Sequence, residues 1–127
     1  MKMFKGLKYS KEHEWVRQEG NRAFVGITNH AQLALGDIVY VELPAVGKTM
    51  KSGDTLGVIE SVKAASDVYS PVSGVVAENN VLVSDQPEMV NAEPYESWIA
   101  VIELSDAGEL DELMDEEQYA QFCLKGE

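Results

Sequence analysis

The residues best placed to do chemistry are Glu60-Ser61-Val62-Lys63-Ala64-Ala65, centred on a lysine. A lysine ε-amine on a flexible four-carbon stem can be acylated to an amide, and the joined group then becomes a swinging arm. Such an arm needs an amine that a modifying enzyme can reach. It also needs a stiff support of fixed shape, and reach into active sites on other proteins. The surrounding residues fit those demands. Lys51-Ser52-Gly53-Asp54 and Ser70-Pro71-Val72-Ser73-Gly74 carry turn chemistry, and Lys63 stands near the midpoint between Gly53 and Gly74. A strand of about six residues approaches it and a similar one leaves it, close to the usual strand length. This local symmetry predicts a hairpin with Lys63 at its tip, standing clear of the body.

Other chemistry finds little support. No nucleophile–base–orienter set is visible, so hydrolase chemistry is not indicated. Gly53 and Gly57 lack the spacing of a phosphate-binding glycine loop. His13 and His30 share no metal-ligand spacing and are read as structural. Cys123 is the one cysteine, which suits a reducing compartment, and it is expected to be a small apolar contact on the last helix.

The elements that must position Lys63 are mostly short strands. Residues 13–17, 21–28, 37–43, 54–60, 65–69, 74–78 and 98–104 read as strands, with Gly20-Asn21 as a hairpin turn. Ala23, Val25 and Ile27 alternate on one face. A short helix is expected over 29–35, capped by Thr28 or Asn29 and stopped by Gly36. Asp106 with Glu109 and Asp115 with Gln118 resemble two capping boxes, which predict two C-terminal helices over about 106–124. The expectation is therefore a mainly β chain, a sandwich or barrel with few helices. It forms one domain over 1–127, with its core at about 7–104.

The chain has 127 residues, with 22 acidic against 10 basic side chains and a net charge of -12. That field argues against nucleic acid and anionic membrane as partners, and it favours proteins with basic docking faces. No stretch is long and apolar enough for a signal peptide or a membrane span. The compartment expected is the cytoplasm, with the mitochondrial matrix as the alternative if a transit peptide has been removed.

Several segments resemble the glycine cleavage H-protein family. They are Lys8-Tyr9-Ser10, His13-Glu14-Trp15-Val16, Gly26-Ile27-Thr28 with Ala31-Gln32, Gly36 through Pro44, Glu60 through Ala64, Ser70 through Gly74, Asn91, Pro94-Tyr95 with Trp98, and the 113–119 helix. The resemblance runs from about Leu7 to Cys123. It implies a lipoyl/biotinyl-type β-sandwich, the barrel-sandwich hybrid. It also implies lipoic acid in amide linkage to Lys63, with Glu60, Ser61, Val62 and Ala64 presenting the shape a lipoyl ligase or transferase reads. The implied partners are glycine decarboxylase with pyridoxal phosphate, an aminomethyltransferase with tetrahydrofolate, and dihydrolipoamide dehydrogenase with FAD and NAD. The implied carrier is a non-catalytic monomer that moves the aminomethyl group of glycine and passes electrons on.

Within the family the loaded arm folds into a surface cleft that excludes water. By family position, Glu14 and Asp67 would hold its cationic amine, with Glu12 a further candidate, and His30 and Ile27 would line the cleft. The segment Pro94-Tyr95-Glu96-Ser97-Trp98 departs from the family pattern: it is one residue short and lacks the glycine before the tryptophan. Three other readings stand beside this one. An H-like protein could relay lipoyl groups to other carriers. An unmodified barrel could act as a binding module. A biotinyl carrier is disfavoured because Val62 and Ala64, not methionines, flank Lys63; Met1-Lys2-Met3 matches the biotin triplet but has no strands around it.

Overall fold

The computed structural model describes residues 6–126, so the Met1-Lys2-Met3 triplet lies outside the described residues. Among the described residues, nine strands occur in chain order: β1 (Lys8–Tyr9), β2 (Glu14–Glu19), β3 (Arg22–Ile27), β4 (Ile38–Glu42), β5 (Thr49–Met50), β6 (Thr55–Ser61), β7 (Ala65–Tyr69), β8 (Gly74–Asn79) and β9 (Ala100–Leu104). They form a six-stranded sheet in the order β1-β2-β3-β9-β8-β5 and a three-stranded sheet in the order β4-β6-β7. The alternation read at 23, 25 and 27 holds: Ala23, Val25 and Ile27 are all buried. With Val41, Leu56, Ile59, Val76 and Ile102, they make the apolar core of this sandwich. Ala23, Val25 and Ile27 face inward because strand side chains alternate with a period of two, and the irregularity between Thr55 and Gly57 lets Leu56 and Ile59, three apart, both be buried.

Trp15 pairs with Gly26 across β2 and β3. A Cβ on Gly26 would stand 2.6 Å from the indole, so only glycine lets the ring lie across that strand. The indole Nε1 donates to the Pro94 carbonyl at 3.0 Å. That bond ties down the short loop before Trp98. Ser97, fully buried there, donates its hydroxyl to the Met89 carbonyl at 2.9 Å.

Helix α1 (Asn29–Leu35) has the expected caps: Thr28 Oγ1 accepts from the Ala31 amide, and Gly36 follows with φ +81 and donates to the Gln32 carbonyl. Two helices not foreseen, α2 (Val81–Asp85) and α3 (Met89–Ala92), lie between β8 and β9. At four or five residues each, they are too short to display a helical period. Buried Val83 and Val90 hold them to the core.

The first C-terminal helix is corrected. Ala107–Glu112 is a 3₁₀ helix, and Asp106 accepts from the Gly108 amide. Glu109 does not reach back to complete a box. Its two carboxylate oxygens instead accept from the Ser73 amide at 2.7 Å and the Ser73 hydroxyl at 2.8 Å. A tertiary partner thus outcompetes the local one. The second capping box forms as read. Asp115 and Gln118 exchange bonds of 2.8 and 2.9 Å at the start of α4 (Glu116–Leu124). Tyr119 on α4 stacks on Tyr9 with ring centroids 4.5 Å apart. These rings, with Leu7, Trp15 and Tyr95, form a second buried cluster.

Candidate functional site: the Lys63 hairpin and its groove

β6 and β7 pair antiparallel from Thr55–Tyr69, with a register shift between Thr55 and Gly57 and an unbroken ladder from Gly57–Val68 to Glu60–Ala65, and Lys63 occupies the turn between them, exposed. The two flanking turns close the base of the hairpin. Gly53 donates to the Ser70 carbonyl, and Ser70 donates to the Asp54 carbonyl, each at 2.8 Å.

The tip is held by more than the ladder. The Ser61 amide donates to the Ala64 carbonyl at 2.7 Å. The Ser61 hydroxyl accepts from the amides of Lys63 and Ala64 at 3.3 and 3.1 Å. Val62 donates its amide to the Asp37 carbonyl at 3.0 Å while its side chain stays 71% exposed. The segment under Val62 is anchored in turn by Asn91 on α3. The Asn91 side chain donates to the Gly36 carbonyl at 2.9 Å and to Gln32 Oε1 at 2.8 Å, and accepts from the Ile38 amide at 2.9 Å. The Lys63 stem passes over Gly36, where a Cβ would stand 3.6 Å from its Cε. Sequence reading missed Asn91 as a positioning residue. Asn91 entered only among the segments that resemble the family, in a stretch with no assigned element.

Beside the hairpin runs a groove of about 400 Å³ whose walls include Glu12, His13, His30, Ala34, Leu35 and Ser66. Of the cleft residues anticipated, Glu12 and His30 line it. Ile27 does not, because it is 4% exposed and packs in the sandwich core. Asp67 is exposed on β7. Strand alternation puts Ser66 on the face of buried Val68 and Asp67 on the opposite face. Glu14 is 2% exposed and is not an open wall. Its carboxylate accepts from the Ser10 hydroxyl and, at 3.0 Å, from the Tyr69 amide, two residues along β7 from Asp67. Glu14 therefore joins the start of β2 to the edge of the hairpin. His13, expected to open a strand, instead has φ +67 at the end of the turn that begins at Ser10.

Burial pushes the Glu14 carboxyl up to about 7, against the pull of its bonds from Ser10 and Tyr69; Glu12 nearby adds a small upward push. A carboxyl whose folded pKa lies above its unfolded value binds its proton more tightly when folded. It therefore favours folding at acid pH and loses that contribution as pH rises from about 4.5 to about 7. At 1.36 kcal/mol per unit, the span is on the order of 3 kcal/mol. Glu14→Gln keeps the shape and a carbonyl for Tyr69. Urea titrations at several pH values should show wild-type stability falling, relative to the variant, over that interval. Parallel curves would mean that Glu14 stays ionised throughout.

A two-sheet sandwich that holds out one lysine on a braced hairpin is the lipoyl/biotinyl-type architecture. Comparison with known proteins narrows this class. Residues 7–126 match the family model described as glycine cleavage H-protein. The chain is 61% identical to the glycine cleavage system H protein of Coprothermobacter proteolyticus, over 96% of this chain and 98% of that one. It is 54% identical to glycine cleavage system H protein 2, mitochondrial, of Arabidopsis thaliana, over 95% of this chain and 78% of that one. The crystal structure of a Mycobacterium marinum glycine cleavage system H protein superposes with a TM-score of 0.85. The two share 33% identity, and the match covers 98% of this chain and 100% of that one. The chain belongs to the glycine cleavage H-protein family. Among the described residues, no helix is long and apolar enough to cross a membrane.

Proposed function

We propose that this chain is the lipoyl carrier of the glycine cleavage system, with lipoic acid joined as an amide to the Lys63 amine. The observation that carries the reading is an exposed lysine at the apex of a hairpin braced by Ser61, Asp37 and Asn91, in a chain of this family. When bound, a lipoyl group supplies a disulfide that can be reduced and can take up the aminomethyl unit of glycine.

The chain's own residues supply presentation and shelter. Glu60, Ser61, Val62 and Ala64 display a fixed turn to a lipoyl ligase or transferase. The groove beside the hairpin shields a folded-back arm from water, which slows hydrolysis. Glu12 is the carboxylate on its wall that can face a cationic amine, and His30 adds polar lining. Asp67 lies at the hairpin's outer face, and Glu14 acts through the edge of β7. The hard chemistry belongs to cofactors on glycine decarboxylase, the aminomethyltransferase and dihydrolipoamide dehydrogenase. The compartment that suits this system is a bacterial-type cytoplasm or a mitochondrial matrix.

The test is intact mass after expression with lipoate, followed by glycine–bicarbonate exchange with purified decarboxylase. A lipoyl increment together with exchange is expected. No increment would point to an unmodified binding module, and a biotinyl increment to a carboxylase carrier. Full lipoylation without exchange in a competent assay would favour a lipoyl-relay role instead.

A further inference from the structure

His13, His30 and Cys123 lie far apart in sequence: in the turn before β2, in the first turn of α1 and in the last turn of α4. The fold brings one ring nitrogen from each histidine and the Cys123 Sγ to within 4.8 Å of one another. The two imidazoles stack with centroids 4.2 Å apart at 16°.

The His13 ring is also oriented from behind. Its Nδ1 meets the Tyr119 hydroxyl at 2.7 Å, and that hydroxyl meets Thr28 Oγ1 at 2.7 Å. Thr28 Oγ1 already accepts the Ala31 amide as the cap of α1. If Nδ1–H donates to Tyr119 and Tyr119 donates to Thr28, the imidazole lone pair sits on Nε2. Ligating histidines are held in this way, with the second ring nitrogen donating to a fixed oxygen.

We propose that His13, His30 and Cys123 form a binding site for one zinc-class divalent cation, with water in the fourth position. Two imidazoles and a thiolate suit a borderline-soft tetrahedral ion, and they do not suit calcium or magnesium, which take oxygen ligands. Zinc bonds of about 2.0–2.3 Å place tetrahedral ligand atoms roughly 3.3–3.6 Å apart. The site therefore closes by about an ångström. Side-chain torsions supply that movement, because His30 is exposed and Cys123 lies near the end of α4. The cation would sit on the wall of the groove that Glu12 also lines, in a chain of net charge -12 that attracts it. The three ligands lie outside the Lys63 hairpin, and because His13 and His30 also line the groove proposed to shelter the arm, the unlipoylated chain tests the site on its own.

Cobalt(II) titration of the full, tag-free chain tests this, in unlipoylated and lipoylated forms. The expected result is one Co²⁺ per chain with intense tetrahedral d–d absorption and a thiolate-to-cobalt charge-transfer band, both displaced by Zn²⁺. Cys123→Ser should abolish the charge-transfer band, and His30→Ala should weaken Zn²⁺ binding by more than tenfold. Tyr119→Phe, with folding checked by circular dichroism, should weaken it about 10–100-fold through loss of the orienting bond. Absence of cobalt uptake, uptake without the charge-transfer band, or Zn²⁺ affinity unchanged in both Cys123→Ser and His30→Ala would overturn the site.

Discussion

Lys63→Arg is expected to eliminate the lipoyl increment from the intact mass and to reduce glycine–bicarbonate exchange to background. The fold should be left as it is. The reason is chemical before it is structural. Amide formation needs a neutral amine as nucleophile, and a lysine ammonium can give up its proton to become one. A guanidinium stays charged in proteins and offers no such lone pair. The change keeps the positive charge and nearly the same length, so it removes the attachment chemistry and little else. The side chain is exposed in a turn, and surface substitutions away from special features usually fall within about ±0.5 kcal/mol. Coincident melting curves with complete loss of the increment would support the assignment. A persistent increment would move the attachment to another lysine, which peptide mapping would locate.

The second large effect concerns the support beneath that lysine. Gly57 on β6 is buried beside a register shift between Thr55 and Gly57 in the ladder to β7. A Cβ there would stand 2.3 Å from the Glu42 carbonyl oxygen, where β4 ends against β6. That neighbour is main chain, held in the β4 ladder, so it cannot swing aside as a side chain would. Gly57→Ala must therefore push β4 and β6 apart or bend β6. Overpacking usually costs about 1–3 kcal/mol, and a backbone clash in a central strand belongs at or above the upper end. For a chain of this size, a loss above about 3 kcal/mol lowers Tm by about 10 °C or more. Lipoylation should slow as well, because the ligase would meet a hairpin with a displaced base. A Tm within a few degrees of wild type would mean that the β4–β6 contact yields more readily than its hydrogen-bonded ladder suggests.

The two effects separate the layers of this protein. Lys63→Arg removes chemistry and spares the scaffold. Gly57→Ala spares the chemistry and distorts what presents it. Asn91 belongs with the second group: three hydrogen bonds from one amide connect α1, the start of β4 and, through the Asp37 carbonyl, the hairpin tip.

What the sequence determined by itself was local and periodic. Strand alternation at Ala23, Val25 and Ile27, the Thr28 and Gly36 caps of α1, the Asp115–Gln118 box and the paired turns around Lys63 all depend on neighbours a few residues away. Such neighbours leave a readable spacing. What only the tertiary structure decided depends on partners distant in the chain. Glu109 left its expected cap because Ser73 offered two donors. Glu14 turned inward because the edge of β7 presented an amide, and Ile27 went to the core because the second sheet covers it. Helices α2 and α3 exist because the core holds their valines. The meeting of His13, His30 and Cys123 has the same origin: α4 packs its Tyr119 face on Tyr9, and that contact, invisible to any spacing rule, sets a thiol beside two imidazoles.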